Sequence, residues 1–153
     1  MKALWYFIHM FGQVAWLGGA LAAMTISVAA KREAPELMGV VVRLQGAIYR
    51  ILVGPGALLN VVSGFLLTLQ MYSAVTAVGL SHWLMAMQGL GIIAALIALI
   101  HTVPTSAKLA RLEPVGPTAV AFKAIRKRMI ISGMTSSLLG MLALLTSALY
   151  QMR

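Results

Sequence analysis

The amino-acid sequence predicts an all-α integral membrane protein, a bundle of four transmembrane helices with both termini outside. Three observations carry that expectation. The chain is 61% hydrophobic and only 10% charged, where a soluble domain carries about a quarter charged residues. Four apolar segments, Ala3 to Ala30, Ile48 to Met71, His82 to Val103 and Met129 to Tyr150, each exceed the ~20 residues that a helix needs to cross ~30 Å of hydrocarbon. The basic residues gather in the connections between alternate segments. Together the four segments read as one membrane domain over residues 1–153.

The first segment is too long for the apolar part of a signal peptide. Its end, "AAMTISVAAKR", closes on Lys31-Arg32, which works as a stop-transfer flank, so the segment reads as a first span rather than a cleaved leader. The connection after it holds Lys31, Arg32, Arg43 and Arg50. There "PELMGVVVRLQGAIYR" spaces two arginines seven apart among apolar residues, which fits either an extension of the second helix or an interfacial amphipathic turn. Pro55 should kink or loosen the second span near its inner end. The middle connection, "YSAVTAVGLS", is uncharged. After the third span, "TVPTSAKLARLEPVGPT" brings three prolines and is expected to break the helix, and "FKAIRKRM" starts the fourth. That last cluster reads as a topology anchor, with attraction for anionic lipid of about 1 kcal/mol per charge as the alternative.

Ten of the twelve Lys and Arg residues fall in the first and third connections. Positive residues stay cytoplasmic, which leaves the middle connection and both termini outside. Trp5, Tyr6, Tyr72, Trp83 and Tyr150 would all stand at the outer boundary, where aromatic residues anchor. The net charge of +9 raises nucleic acid as a partner, but such a protein spreads its cations over a solvated polar face. Cations held in two blocks between apolar runs point to membrane topology and membrane lipid instead, with no nucleic-acid partner.

Lipid provides no hydrophobic drive for helix association, so small residues mark the expected contacts. The first span has Ala15, Gly19 and Ala23, and the second has "GPG" at 54–56 and "SG" at 63–64. The third has "GLG" at 89–91, and the fourth has Ser132, Ser136 and Gly140 with Gly133 and Ser137 beside them. These faces suit a compact bundle, a homo-oligomer or docking onto a larger membrane complex.

The chemistry-bearing residues are few. There is no cysteine, so disulfides, thiolate metal sites and cysteine nucleophiles are excluded. No carboxylate lies inside a span, which removes the usual proton relay or sodium site of an ion-coupled transporter. No phosphate loop or hydrolase elbow occurs, so any catalysis would come from a bound cofactor. Against that background, "HMFGQVAWLGG" at 9–19 puts His9, Gln13 and Trp16 on one helix face. Polar groups in hydrocarbon are costly unless partnered, so this face should turn into the bundle. His9 lies about 6 Å deeper than Trp5. His82 opens the third span and His101 closes it, about 28 Å apart along a helix. A haem iron held by His9 with His82 or Met85 is one reading. A copper(I) site of His9, His82 and Met85 is another, since imidazole and thioether suit that ion. A third is structural: His9 hydrogen-bonded to Gln13 or a backbone carbonyl, and His101 in a capping or interfacial role. Asn60, Gln88 and the serines of the fourth span read as interhelical hydrogen bonds.

The pattern of His9, six residues, Trp16 and then Gly18-Gly19 near the start of a four-span chain resembles a superfamily of small membrane proteins. It includes the copper-resistance D membrane domains, related domains of unknown function and the short membrane protoporphyrinogen oxidases of bacteria. "RLQGAIYR" before the second span and His101 at the close of the third match its layout. The resemblance implies a four-helix bundle in a bacterial inner membrane with the first-span histidine as the functional residue. By carry-over from the oxidase branch, His9 is expected to bind haem b; the reading of the residues themselves adds Gln13, Trp16, His82, Met85 and His101 as the other candidate cofactor residues. The oxidase branch also carries an arginine-containing segment after the tryptophan motif and a lysine in the third span. The corresponding stretches here, "ALAAMTISVAA" and "LMAMQGLGIIAAL", hold neither, which sets the chain nearer the copper-resistance branch.

Overall fold

The computed structural model describes residues 2–32, 34, 37–70 and 82–151, without the side chains of residues 32, 150 and 151. Tyr72, the connection 72–81, Met71, Glu33, Glu36 and Arg153 lie outside the described residues, as does the side chain of Tyr150. Four long helices make up the chain: α1 Lys2–Ala29, α2 Met38–Gln70, α3 His82–Leu109 and α4 Ala119–Gln151. Each is long and apolar enough to cross a membrane. They run up and down in ring order: α1 packs extensively against α2, α2 more lightly against α3, and α3 extensively against α4, which closes on α1 through Trp16 and Leu17.

Alternating direction puts the C-terminal ends of α1 and α3 beside the N-terminal ends of α2 and α4. The cationic connections therefore meet at one end of the bundle, where Arg43 faces Glu113 at 3.5 Å. That pair is solvent-exposed, so its contribution to stability is small. Trp5, Tyr6 and Trp83 stand at the opposite end. The described helices at the basic end outrun the expected spans. α4 begins at Ala119, ten residues before the apolar segment, and its 33 residues extend ~50 Å. Since ~30 Å suffices to cross hydrocarbon, the turns bearing Lys123, Arg126, Lys127 and Arg128 project beyond the apolar length. The N-terminal part of α2 is likewise a continuation of the helix, which decides between the two readings of residues 35–50 over the described part.

Two prolines lie inside helices. Pro55 loosens α2 near its inner end as expected, whereas Pro104 departs from expectation, lying inside α3, which continues to Leu109 instead of stopping near Val103. In each case a widened π turn precedes the proline, Tyr49–Val53 in α2 and Ile97–Thr102 in α3. The residue just before proline donates its N–H five residues back, Gly54 to the Tyr49 carbonyl and Val103 to the Ala98 carbonyl. An extra residue in the turn makes room for the carbonyl that the proline ring would strike. In α3 the Thr102 hydroxyl also donates to the Ile97 carbonyl at 3.2 Å. The helix breaks only after Leu109, around Pro114 and Pro117, and restarts through the short turn Gly116–Thr118.

Backbone contact between α1 and α2 depends on two glycines. A Cβ on Gly56 would lie 2.6 Å from the Trp16 backbone nitrogen and 2.8 Å from the Gly12 carbonyl oxygen. One on Gly12 would lie 2.8 Å from the Asn60 nitrogen. A third π turn, Val14–Gly18, lies in α1 at this crossing. The other seams use small residues with polar links. Ser136 donates to the Ala94 carbonyl at 2.8 Å, Thr102 bonds Ser132 at 3.1 Å, and Gln88 donates to Thr68 at 2.6 Å. These are the interhelical hydrogen bonds expected of Gln88 and the fourth-span serines, worth on average about 0.6 kcal/mol each in membrane proteins. The expected glycine contact at 89–91 does not form within the bundle: a Cβ on Gly89 or Gly91 would meet nothing within 4 Å. α3 turns Ala94, Ala95 and Ala98 inward instead.

Candidate functional site

The outer half of the α1–α2 seam collects the polar residues of the two helices. Spacing of four and three carries His9, Gln13 and Trp16 down one face of α1, and that face turns inward. Trp16 is 1% exposed and packs near Gly140 of α4. Asn60 and Ser63 answer from α2, both buried. The Asn60 amide donates to the His9 carbonyl and to Gln13 Oε1, each at 3.2 Å. The Ser63 hydroxyl donates within its own helix, to the Leu59 carbonyl.

The imidazole of His9 lies against this wall. Its Nδ1 is 2.9 Å from the Asn60 carbonyl oxygen, with Ser63 Oγ 3.2 Å away as a second partner. A carbonyl only accepts, so the hydrogen bond assigns the proton to Nδ1 and leaves Nε2 as the nitrogen with the lone pair in a neutral ring. The ring can lie this close because position 64 is glycine: a Cβ there would stand 3.0 Å from His9 Cε1. His9 is half-buried, so the ring is anchored on one side and open on the other. One turn outward, Lys2, Ala3 and Tyr6 of α1 and Leu67 and Gln70 of α2 line a cleft of about 320 Å³.

The remaining expected site residues are elsewhere. Met85 is 57% exposed. His82 is exposed as well, its ring tilted against Trp83 with centroids 5.1 Å apart. The outer half of α3 packs on α4 and, more lightly, on α2, and neither residue is among the hydrogen-bond partners of His9. His101 is exposed near the far end of α3. Trp16 belongs to the core, and its indole N–H has no hydrogen-bond partner among the described residues. Gln13 alone of the candidates joins the His9 network, through Asn60. Among the described residues no three His, Asp or Glu side chains gather as a ligand cluster.

Two contributors were not singled out from the sequence as part of this site. Ser63 and Gly64 were read as a small packing pair, and only their i+3 and i+4 offsets from Asn60 hinted that they share its face. Gln45 also escaped notice. It is 1% exposed and donates to the Ala23 carbonyl at 2.6 Å in the basic half of the same seam.

No family model, curated protein or solved structure matches the chain.

Proposed function

We propose that the chain is a multi-pass protein of a bacterial inner membrane, both termini outside, that binds b-type haem through His9 in the outer half of the bundle. The observation that carries this reading is the Nδ1–H hydrogen bond from His9 to the Asn60 carbonyl. Metal-bound histidines almost always donate their other ring N–H in this way, which fixes the tautomer and raises the basicity of the ligating nitrogen. The residues present fit such a group. Nε2 supplies one imidazole ligand, the neighbouring cleft is mainly apolar, and Lys2 offers a cation for the carboxylates of the macrocycle. Bound haem would supply one-electron chemistry. The protein's part is to hold the imidazole, orient it through Asn60 and Ser63, and keep the ligating nitrogen in low-dielectric surroundings. The oxidase branch of the resembled superfamily points in the same direction, through the first-span histidine.

The test is an absorption spectrum of detergent-purified protein, as isolated and after dithionite. A Soret band with reduced-state visible bands is expected. Because Met85 and His82 are exposed and are not among the hydrogen-bond partners of His9, Met85→Ala and His82→Ala should leave that spectrum unchanged. A featureless spectrum from haem-replete cells would sink the proposal, and copper found by metal analysis would transfer the role to that ion.

Topology has its own test, aided by the absence of native cysteine. A maleimide that cannot cross membranes should label Ser73→Cys in intact spheroplasts, and label Lys123→Cys only after permeabilisation. The reverse pattern would invert the orientation.

A second reading, an assembly subunit of a larger membrane complex or homo-oligomer, is favoured by the open surroundings of Gly89 and Gly91. Glycines with open space beside them on a helix let another helix come close in lipid. Co-migration with a partner after gentle extraction, lost in Gly89→Leu, would support it.

A further inference from the structure

We infer that the basic end of the bundle carries a binding site for the phosphate headgroup of an anionic membrane phospholipid. Lys31 at the end of α1 and Lys123, Arg126 and Lys127 on the first turns of α4 line one cleft of about 500 Å³, with Phe122 and Ile130 among its apolar lining. The four cations come from two helices distant in sequence, so the fold, and not one charged run, brings them together. Lys123, Arg126, Lys127 and Ile130 recur at three- and four-residue steps, which makes them one face of α4. Arg126 Nε is buried with no hydrogen-bond partner among the described residues.

Charge determines the sign of the occupant. Ten cations lie between residues 31 and 128 against three carboxylates in the whole chain, so positive charge is in excess however the acids pair. One carboxylate, Glu113, already faces Arg43. Position determines the class. The cleft sits where α4 passes from its charged turns to its apolar length, with Ile131 of its lining exposed. A ligand with a phosphate in the cleft and acyl chains along that apolar surface satisfies both halves. A basic pocket between helices at the cytoplasmic surface is the general form of such sites. This placement rests on the membrane reading above, but not on the haem.

The test uses the intact protein in nanodiscs of phosphatidylcholine, titrated with phosphatidylglycerol and read by native mass spectrometry after release into detergent. A single retained phosphatidylglycerol is expected. Each of Lys123→Gln, Arg126→Gln and Lys127→Gln should lower its affinity about fivefold, and the triple variant by on the order of a hundredfold. Lys108→Gln, at the same end in the last turn of α3 but outside the cleft, is the control and should change nothing. Equal losses in Lys108→Gln would reduce the effect to diffuse surface charge and overturn the site. Displacement by inorganic phosphate at concentrations comparable with the lipid would assign the cleft to free phosphate and overturn the lipid. Should the triple variant fold poorly, the single variants carry the comparison. Alkaline carbonate extraction separates the two readings: a chain that resists extraction but retains no lipid defeats only the site.

Discussion

Gly56→Ala is expected to destabilise the bundle by about 3 kcal/mol, the upper part of the range for overpacking a tight interior. The added methyl would stand 2.6 Å from one backbone atom and 2.8 Å from another. Neither the Trp16 nitrogen nor the Gly12 carbonyl can rotate aside as a side-chain end would. The two helices must therefore separate along the seam that also holds His9 against Asn60. Unfolding in mixed micelles, followed by tryptophan fluorescence, measures the loss, since Trp16 is buried at that crossing. Gly89→Ala is the matched control, because a Cβ there meets nothing within 4 Å. In a helix alanine is favoured over glycine by up to about 1 kcal/mol, so the control should be neutral or slightly stabilising. Equal stability of Gly56→Ala and the wild type would mean that α1 and α2 do not cross here.

This crossing was visible in the sequence only in part. Gly56 belongs to the expected "GPG" contact, and of the series Ala15, Gly19 and Ala23 the first two pack on α2, yet the crossing also uses Gly12, on an adjoining row that the sequence did not mark. Small residues mark every helix in such a chain, and only the partner helix selects which row is used. Gly89 and Gly91 illustrate the same ambiguity from the other side, since they look like a contact and face open space.

Polar residues were more legible than apolar ones, for a physical reason. An unpartnered amide or imidazole is costly in hydrocarbon, so His9, Gln13, Asn60, Gln88, Ser132 and Ser136 had to point inward. Each of them forms a polar contact across a helix seam. Met85 carries no such obligation. A thioether is as much at ease against lipid as against a helix, so its nearness in sequence to His82 gave no information about direction. The prolines misled in one respect. Pro104 marks a helix end when read locally, but a π turn ahead of it absorbs the clash, and no residue pattern announces that turn. The general four-helix layout was legible because length and hydropathy alone determine it.

The second large effect concerns His9. His9→Ala should abolish the haem spectrum, since it removes the imidazole that the Asn60 carbonyl orients. A structural histidine would give a different result: the fold would weaken, and any haem would stay. His9→Gly with added imidazole separates these possibilities. Removing the side chain leaves space against Gly64 and Ser63, and the Asn60 carbonyl still offers its acceptor. Free imidazole can enter, donate one N–H to that carbonyl and present its other nitrogen, restoring the spectrum. The glycine itself costs the helix about 1 kcal/mol, which the unfolding measurement accounts for. Ser63→Ala leaves the carbonyl in place but removes the second partner of Nδ1. Losing an outer partner of a metal-bound histidine lowers affinity about 10- to 100-fold. The expectation here is the lower end, because the stronger of the two acceptors remains. A His9→Gly protein that folds, binds no haem and stays blank in imidazole would remove His9 from the role of ligand. Recovery of the spectrum would tie the iron to the nitrogen that the Asn60 carbonyl leaves free.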